Sequence, residues 1–401
     1  MQANNVLLRH CRVPPAWDSR PELLIRWLRL LRPPLLRKHN NVTNLTAHAA
    51  DVQVNQHITA RDHRRQHILT GAVSAVFISA WLSVSLGSYD WQWSAIWQYL
   101  TAEDATPRHV AMQWYVLWDL RLPRTLMAIC VGALLGMAGC AMQGLVRNPL
   151  ADPGLIGISG GAAAAAATSM AILPLYWPGI TPFATVIAAF CGALLTVAMV
   201  LHMARRAHGI AVGTLILAGV AINALTGTVI GAISYLADDD ALRQISYWTM
   251  GSLAGANWLQ VAILSSCLAI SASVFWHCRS ALNLFALGEQ DAAYQELNVK
   301  RYKNLLLWTV AFAVALATAL CGIIGFIGLV IPHICRNLVG VDQRFLMPAS
   351  GILGSVLLVL SDCVSRSLFS PLEIPIGIIT SAVGAPFFLY LLYQQRGRID
   401  D

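Results

Sequence analysis

The stretch Leu287-Gly288-Glu289-Gln290-Asp291-Ala292-Ala293-Tyr294-Gln295-Glu296-Leu297-Asn298-Val299 is polar, and apolar segments of membrane length surround it. Leu287, Ala292, Ala293, Glu296 and Leu297 fall close to one helical face at three- and four-residue spacing. That predicts a short amphipathic helix, too short and too polar to cross a bilayer. Arg279 precedes it, and Lys300, Arg301 and Lys303 follow it. Basic residues beside membrane segments mark the cytoplasmic side. A short cytoplasmic helix within a membrane domain is a handle that a soluble partner can push; the plainer alternative is a connecting loop.

Working outward, the composition is that of a membrane protein. Hydrophobic residues make up 57% of the chain and charged residues 12%; mean hydropathy is +0.59. Soluble domains carry roughly 25% charged residues. The net charge of +7 suits Lys and Arg facing anionic lipid. Nucleic acid needs clustered basic residues with aromatics on a folded face, and none follow residue 70. The nine cysteines are scattered without a CxxC pair and read as small core residues, not as a metal site.

Residues 1–67 are basic and lack an apolar run long enough for a secretory signal; they read as a flexible cytoplasmic extension. From there to residue 396 apolar runs of about 20 residues recur, the length that spans a bilayer core as helix. The expected spans are 68–88, 122–144, 153–173, 181–204, 209–235, 257–277, 303–320, 324–339, 346–366 and 374–394. The fold class is therefore an all-α integral membrane protein of about ten transmembrane helices. With the N-terminus inside, the inner loops hold Arg147, Arg205, Arg206, Arg279, Lys300, Arg301, Lys303, Arg336, Arg344, Arg396 and Arg398. The outer loops hold only Arg108, Arg121, Arg124, Arg243 and Arg366. The positive-inside rule then places both termini in the cytoplasm.

Small residues recur within the spans, at Gly132/Gly136, Gly157/Gly160/Gly161 and Gly227/Gly231, and allow helices to approach closely. Breaks at Asn148-Pro149, Asp152-Pro153 and Ile331-Pro332 suggest unwound segments bordering a cavity. Ionisable residues are almost absent mid-membrane, which argues against an ion-coupled carrier. No GxxxxGK[ST] occurs, so the chain has no nucleotide-binding loop of that kind.

Three blocks carry a resemblance. The first runs Arg121-Leu-Pro-Arg124, then Gly132-Ala-Leu-Leu-Gly136-Met-Ala-Gly139-Cys-Ala-Met-Gln143-Gly144 and Arg147-Asn-Pro-Leu-Ala-Asp-Pro-Gly154-Leu-Ile-Gly157. The second is Gly325-Phe-Ile-Gly-Leu-Val-Ile-Pro-His333-Ile-Cys-Arg336, and the third is Glu373-Ile-Pro-Ile-Gly377 through Gly384-Ala-Pro-Phe-Phe-Leu-Tyr390. Residues 70–395 resemble the FecCD-type permease subunits of ABC importers for iron–siderophore, haem and vitamin B12.

The resemblance implies two permease copies around a central pathway in the bacterial inner membrane, two ATPase subunits below and a periplasmic binding protein above. It implies no enzymatic activity and no cofactor on this chain, with ATP and Mg on the ATPase. The opening stretch then matches the coupling segment, with Leu287, Gly288, Glu289, Ala292, Ala293 and Leu297 facing the ATPase. Asn298 stands where the family pattern has Gly; Asn tolerates a left-handed backbone next best, so the turn is expected to survive there. Arg121, Arg124 and Arg366 are expected to dock the binding protein, interfacial snorkelling being the alternative. Gln143, Arg147, Asn148, Pro149 and Met250 are pathway or gate candidates, although Met250 reads more readily as a core methionine than as a haem contact. Residues 141–157 and 247–255 look most like the haem branch, with ferric siderophore and cobalamin as alternatives.

Overall fold

The computed structural model describes residues 61–87, 97, 99, 101, 108–177, 179–206 and 209–396. Residues 1–60, most of the stretch read as an extension, lie outside these. Twelve helices are named here in chain order, among the described residues. They are α1 (Arg61–Ser85), α2 (Arg108–Val146), α3 (Ile158–Tyr176), α4 (Thr181–Ala204), α5 (Val212–Leu236), α6 (Asp239–Thr249), α7 (Trp258–Leu287), α8 (Glu289–Tyr294), α9 (Val299–Cys321), α10 (Ile327–Val339), α11 (Gln343–Ser367) and α12 (Ile376–Arg396). The only strands among the described residues are Arg205–Arg206 and Gly209–Ile210, an antiparallel two-residue ladder that closes the α4–α5 turn. Each expected span overlaps a helix, and eight of these are long and apolar enough to cross a membrane.

α2 is the axis of the bundle. It is one rod with a π-helical turn at Val116–Arg121, and nearly every residue from Pro123 to Val146 is buried. Burial on all sides demands small residues where backbones cross. A Cβ on Gly132 would overlap the Gly354 carbonyl, one on Gly136 the Ser350 carbonyl, and one on Gly139 the Gly328 carbonyl. The first two seat α11 and the third seats α10. Gly161 likewise meets Gly192 of α4 at the α3–α4 crossing. Gly227 and Gly231 have no such neighbour among the described residues of the single chain: a Cβ on either would meet nothing within 4 Å.

α10 has 13 residues, or roughly 20 Å at 1.5 Å per residue, too short for a core of about 30 Å. Its missing half is the irregular segment 322–326, with left-handed Gly322 (φ 72°) and Phe326 (φ 68°). Irregular backbone at membrane depth must find partners inside the protein. The chain around residues 250–252 ties the neighbouring helix ends together: Ser252 N–H donates to the carbonyl of Cys321, the last residue of α9 (2.8 Å), and at the start of α12 Ile376 N–H donates to Gly251 (3.1 Å) and Gly377 N–H to Met250 (3.0 Å).

Pro332, expected at an unwound break, instead lies within α10. Its missing N–H orphans the Gly328 carbonyl four residues back. The Gln143 amide answers that carbonyl at 3.3 Å and the next one, Leu329, at 3.2 Å. The helix continues because α2 supplies the donor that proline lacks.

Candidate functional site

Polar chemistry gathers at the two opposite ends of the bundle. At one end, α7 stops where Gly288 takes φ 141°, a conformation open in practice only to glycine. The chain then turns straight into α8, whose Glu289 is its first residue. One Glu289 carboxylate oxygen lies 2.6 Å from Lys303 Nζ on α9 and 3.1 Å from Arg147 Nη2. Arg147 is the left-handed cap of α2 (φ 56°). A coupling candidate and a pathway candidate, given separate roles from sequence, are thus joined in one ion triad. Lys303, read from sequence only as a loop charge, is buried within it, its side chain 2% exposed.

The expected helical face of the coupling segment needs correcting. α8 ends at Tyr294, and Glu296 is left-handed (φ 60°), so no single helix carries Leu287 through Leu297. Ala292 is fully buried in its own chain and Leu297 is half-buried on the core, its N–H bonded to the Ala292 carbonyl (3.2 Å). Leu287, Gln290, Asp291, Ala293, Tyr294, Gln295, Glu296 and Asn298 are exposed. The left-handed residue is Glu296, not Asn298. Asn298 caps α9 instead, its side-chain oxygen accepting from Arg301 N–H at 3.0 Å. Asn, Asp and Ser are preferred at that position because their side chain reaches an otherwise orphaned N–H.

The same end holds a second bracket. Asp342 caps α11 by accepting from Arg344 N–H (3.0 Å), and Asn283 of α7 donates to it (3.0 Å) while accepting from Gln343 N–H (2.9 Å). Burial alone would raise the Asp342 carboxyl, but these bonds and the Arg344 guanidinium outweigh it and hold it below the usual carboxylate range.

Gln143 accepts from Arg336 Nη2 at 2.9 Å while bonding α10, and is 2% exposed. Its contacts make it a tie between two helices, not a free gate residue. Asn148 and Pro149 are exposed in the turn after α2, where Asn148 Oδ1 accepts from Leu150 N–H at 2.9 Å. Met250 is 43% exposed and lends its carbonyl to Gly377.

At the opposite end, Arg121, Arg124 and Arg366 are buried rather than projecting. Arg124 Nε meets Asp362 Oδ1 at 2.9 Å, and its Nη1 lies 3.0 and 2.9 Å from the two Glu373 oxygens. Arg366 Nε meets Asp362 Oδ2 at 3.0 Å and donates through Nη2 to the Ser83 carbonyl (3.1 Å). Arg121 donates to the Val84 carbonyl at 2.7 Å. Each guanidinium therefore has an acceptor within the chain, which is how three cations are held in a low-dielectric interior.

Two cavities adjoin this cluster. One of about 350 Å³ is lined by Val116, Leu120, Arg121, Arg124, Arg366 and Glu373 among others. The second, about 250 Å³, is walled by Arg124, Tyr247, Glu373 and the irregular backbone at 252–254 and 374–376. The Arg124–Glu373 pair borders both. Above it, Trp114 stacks on Tyr99 and on Trp118, with centroids 4.7 and 5.6 Å apart. Trp258 bonds the Trp118 carbonyl at 3.1 Å.

Known proteins share this architecture. The chain is 39% identical over 315 residues to the hemin transport system permease protein HmuU of Yersinia pestis, covering 78% of this chain and 91% of that protein. It is 38% identical over 288 residues to the vitamin B12 import system permease protein BtuC of Vibrio cholerae, covering 71% and 85%. A solved metal-chelate type ABC transporter in an inward-facing conformation superimposes with a TM-score of 0.71 at 30% identity, over 82% of this chain and 99% of that one. The model of the FecCD transport family matches residues 75–394. The helices, their breaks and these likenesses agree: the chain belongs to the FecCD transport family and is an ABC importer permease.

Proposed function

We propose that this permease moves haem from the periplasm to the cytoplasm across the bacterial inner membrane, powered by ATP bound with Mg on separate ATPase subunits. The observation that carries the substrate is the 39% identity to a hemin permease over 91% of its length. Two copies form the pathway. Two ATPases engage the Glu289 end, where Leu287 at the end of α7 and Gln290, Ala293 and Tyr294 of α8 are exposed, and a periplasmic binding protein docks at the Arg124 end. Both termini lie in the cytoplasm, because the Glu289 end carries the surplus of Lys and Arg.

The arginines support docking differently from first expectation. Their donors are engaged within the chain, so a carboxylate on the binding protein reaches Arg124 by taking the place of Glu373, the exposed member of the cluster at 44%. Arg favours such an exchange because its planar fork accepts one carboxylate as well as another.

The 38% identity to a cobalamin permease keeps vitamin B12 as a second reading. Uptake into liposomes holding this permease, its ATPase and its binding protein, with haem, a ferric siderophore and cobalamin offered in turn, decides between them. Haem accumulation alone is expected; selective cobalamin accumulation would reverse the assignment.

A further inference from the structure

Glu289 is shared by two cations in unlike surroundings. Lys303 Nζ is 2.6 Å away on a side chain only 2% exposed; Arg147 Nη2 is 3.1 Å away on a side chain 43% exposed. We propose that these ties differ in permanence: Glu289–Lys303 is fixed, Glu289–Arg147 is releasable, and the joint that opens when the ATPase acts lies between Glu289 and Arg147.

The physical reason is desolvation. If Glu289 leaves Lys303, an ammonium remains buried without a counter-ion, which is strongly unfavourable. If Glu289 leaves Arg147, the guanidinium returns to water, and exposed pairs contribute little. The backbone reinforces the asymmetry. α8 is joined to the start of α9 by Leu297 N–H on the Ala292 carbonyl (3.2 Å) and by the Asn298 cap. The Arg147 turn is closed by its own local bonds: Asn148 N–H donates to Gln143 (3.2 Å) and Ala151 N–H to Asn148 (3.1 Å). α8 and the first turn of α9 therefore move as one body, with Lys303 as the positioning residue, and the turn that ends α2 is what they part from.

What drives the movement rests on the importer reading above; the inequality of the two ties belongs to the permease alone, so the test has two arms. In the purified permease, Glu289→Gln strands the buried Lys303 and is expected to lower the melting temperature by several degrees. Adding Lys303→Met should restore most of that loss, and Arg147→Gln alone should change little. An Arg147→Gln loss as large as that of Glu289→Gln, or no recovery in the double variant, overturns the proposal. In the assembled transporter, with Cys11→Ser and Cys191→Ser so that the seven remaining native cysteines are buried ones, nitroxides are placed at positions 295 and 305 in one sample and at 148 and 295 in another. Binding of ATP should leave the 295–305 distance unchanged and shift the 148–295 distance. The reverse pattern, or no shift across 148–295, overturns the location of the joint. Failure of the ATPase to engage the permease at all refutes the importer reading instead, and the melting cycle still decides the ties.

Discussion

Asp362 holds the Arg124 end together: it is fully buried, accepts a hydrogen bond from Arg124 and forms an ion pair with Arg366. Removing one partner from a buried ionic cluster costs about 3–5 kcal/mol, because the remaining charge has no compensation. Asp362→Ala is accordingly expected to destabilise the permease by that order, seen as a large fall in its thermal unfolding temperature in detergent; a small change would mean the arginines find water. This cluster also explains why three arginines sit against the positive-inside bias. Sequence made them stand out, and Arg366 has Asp362 four residues before it, but the carboxylates that hold Arg124 lie 238 and 249 residues away, and no local pattern reports such a pairing. Exchanging all three for Glu would place new carboxylates beside Asp362 and wreck the fold, so it is no test of docking. Glu373→Gln is the cleaner probe. Glu373 is substantially exposed, so stability should fall by less than about 1 kcal/mol, while Arg124 becomes freer to accept a partner carboxylate. Tighter association with the binding protein at low salt is expected, and unchanged affinity would remove Arg124 from docking.

Among elements, the crossings of α2 are the least tolerant of change. At Gly136 a side chain meets backbone, the Ser350 carbonyl, which has no flexible end to move aside. Overpacking typically costs about 1–3 kcal/mol and sometimes more, so Gly136→Leu should yield little folded permease. Gly227→Leu on the open face of α5 should leave the stability of a single chain nearly unchanged; comparing the two melting curves checks both. The sequence showed that each glycine pair permits close approach, yet could not say which pair has a helix against it, since that depends on packing between distant segments. Helix caps follow the same logic. Asp342→Ala removes the cap of α11 and should cost about 1 kcal/mol. Because the Asp342 carboxyl is held low, its contribution is present above the ordinary carboxylate pKa of about 4 and is lost as pH falls through its lower folded value. Asp342→Asn should therefore show a shallower loss of stability in acid.

At the scale of the molecule, eight of the ten expected spans coincide with helices long and apolar enough to cross a membrane, and they were legible because a bilayer sets one length and apolar runs report it directly; the other two fall on shorter apolar helices. The short helix between α7 and α9 was legible as a polar interruption, and its glycine start was visible in Gly288. Its facing was not: a six-residue helix followed by left-handed Glu296 breaks the periodicity on which a face is read. Nor was the role of Lys303, because a lysine at the start of a span looks the same in sequence whether it faces lipid headgroups or a buried carboxylate. The importer account assigns α8 the task of receiving force from outside the membrane, with no ion gradient involved. The most direct measurement is haem accumulation in sealed proteoliposomes containing the permease, its ATPase and its binding protein, with Mg-ATP supplied on the ATPase side. Uptake that stops when hydrolysis is blocked, persists when ionophores collapse all ion gradients, and is lost in Glu289→Arg is the expected result. Haem uptake that proceeds without ATP and collapses with the ion gradient would contradict it.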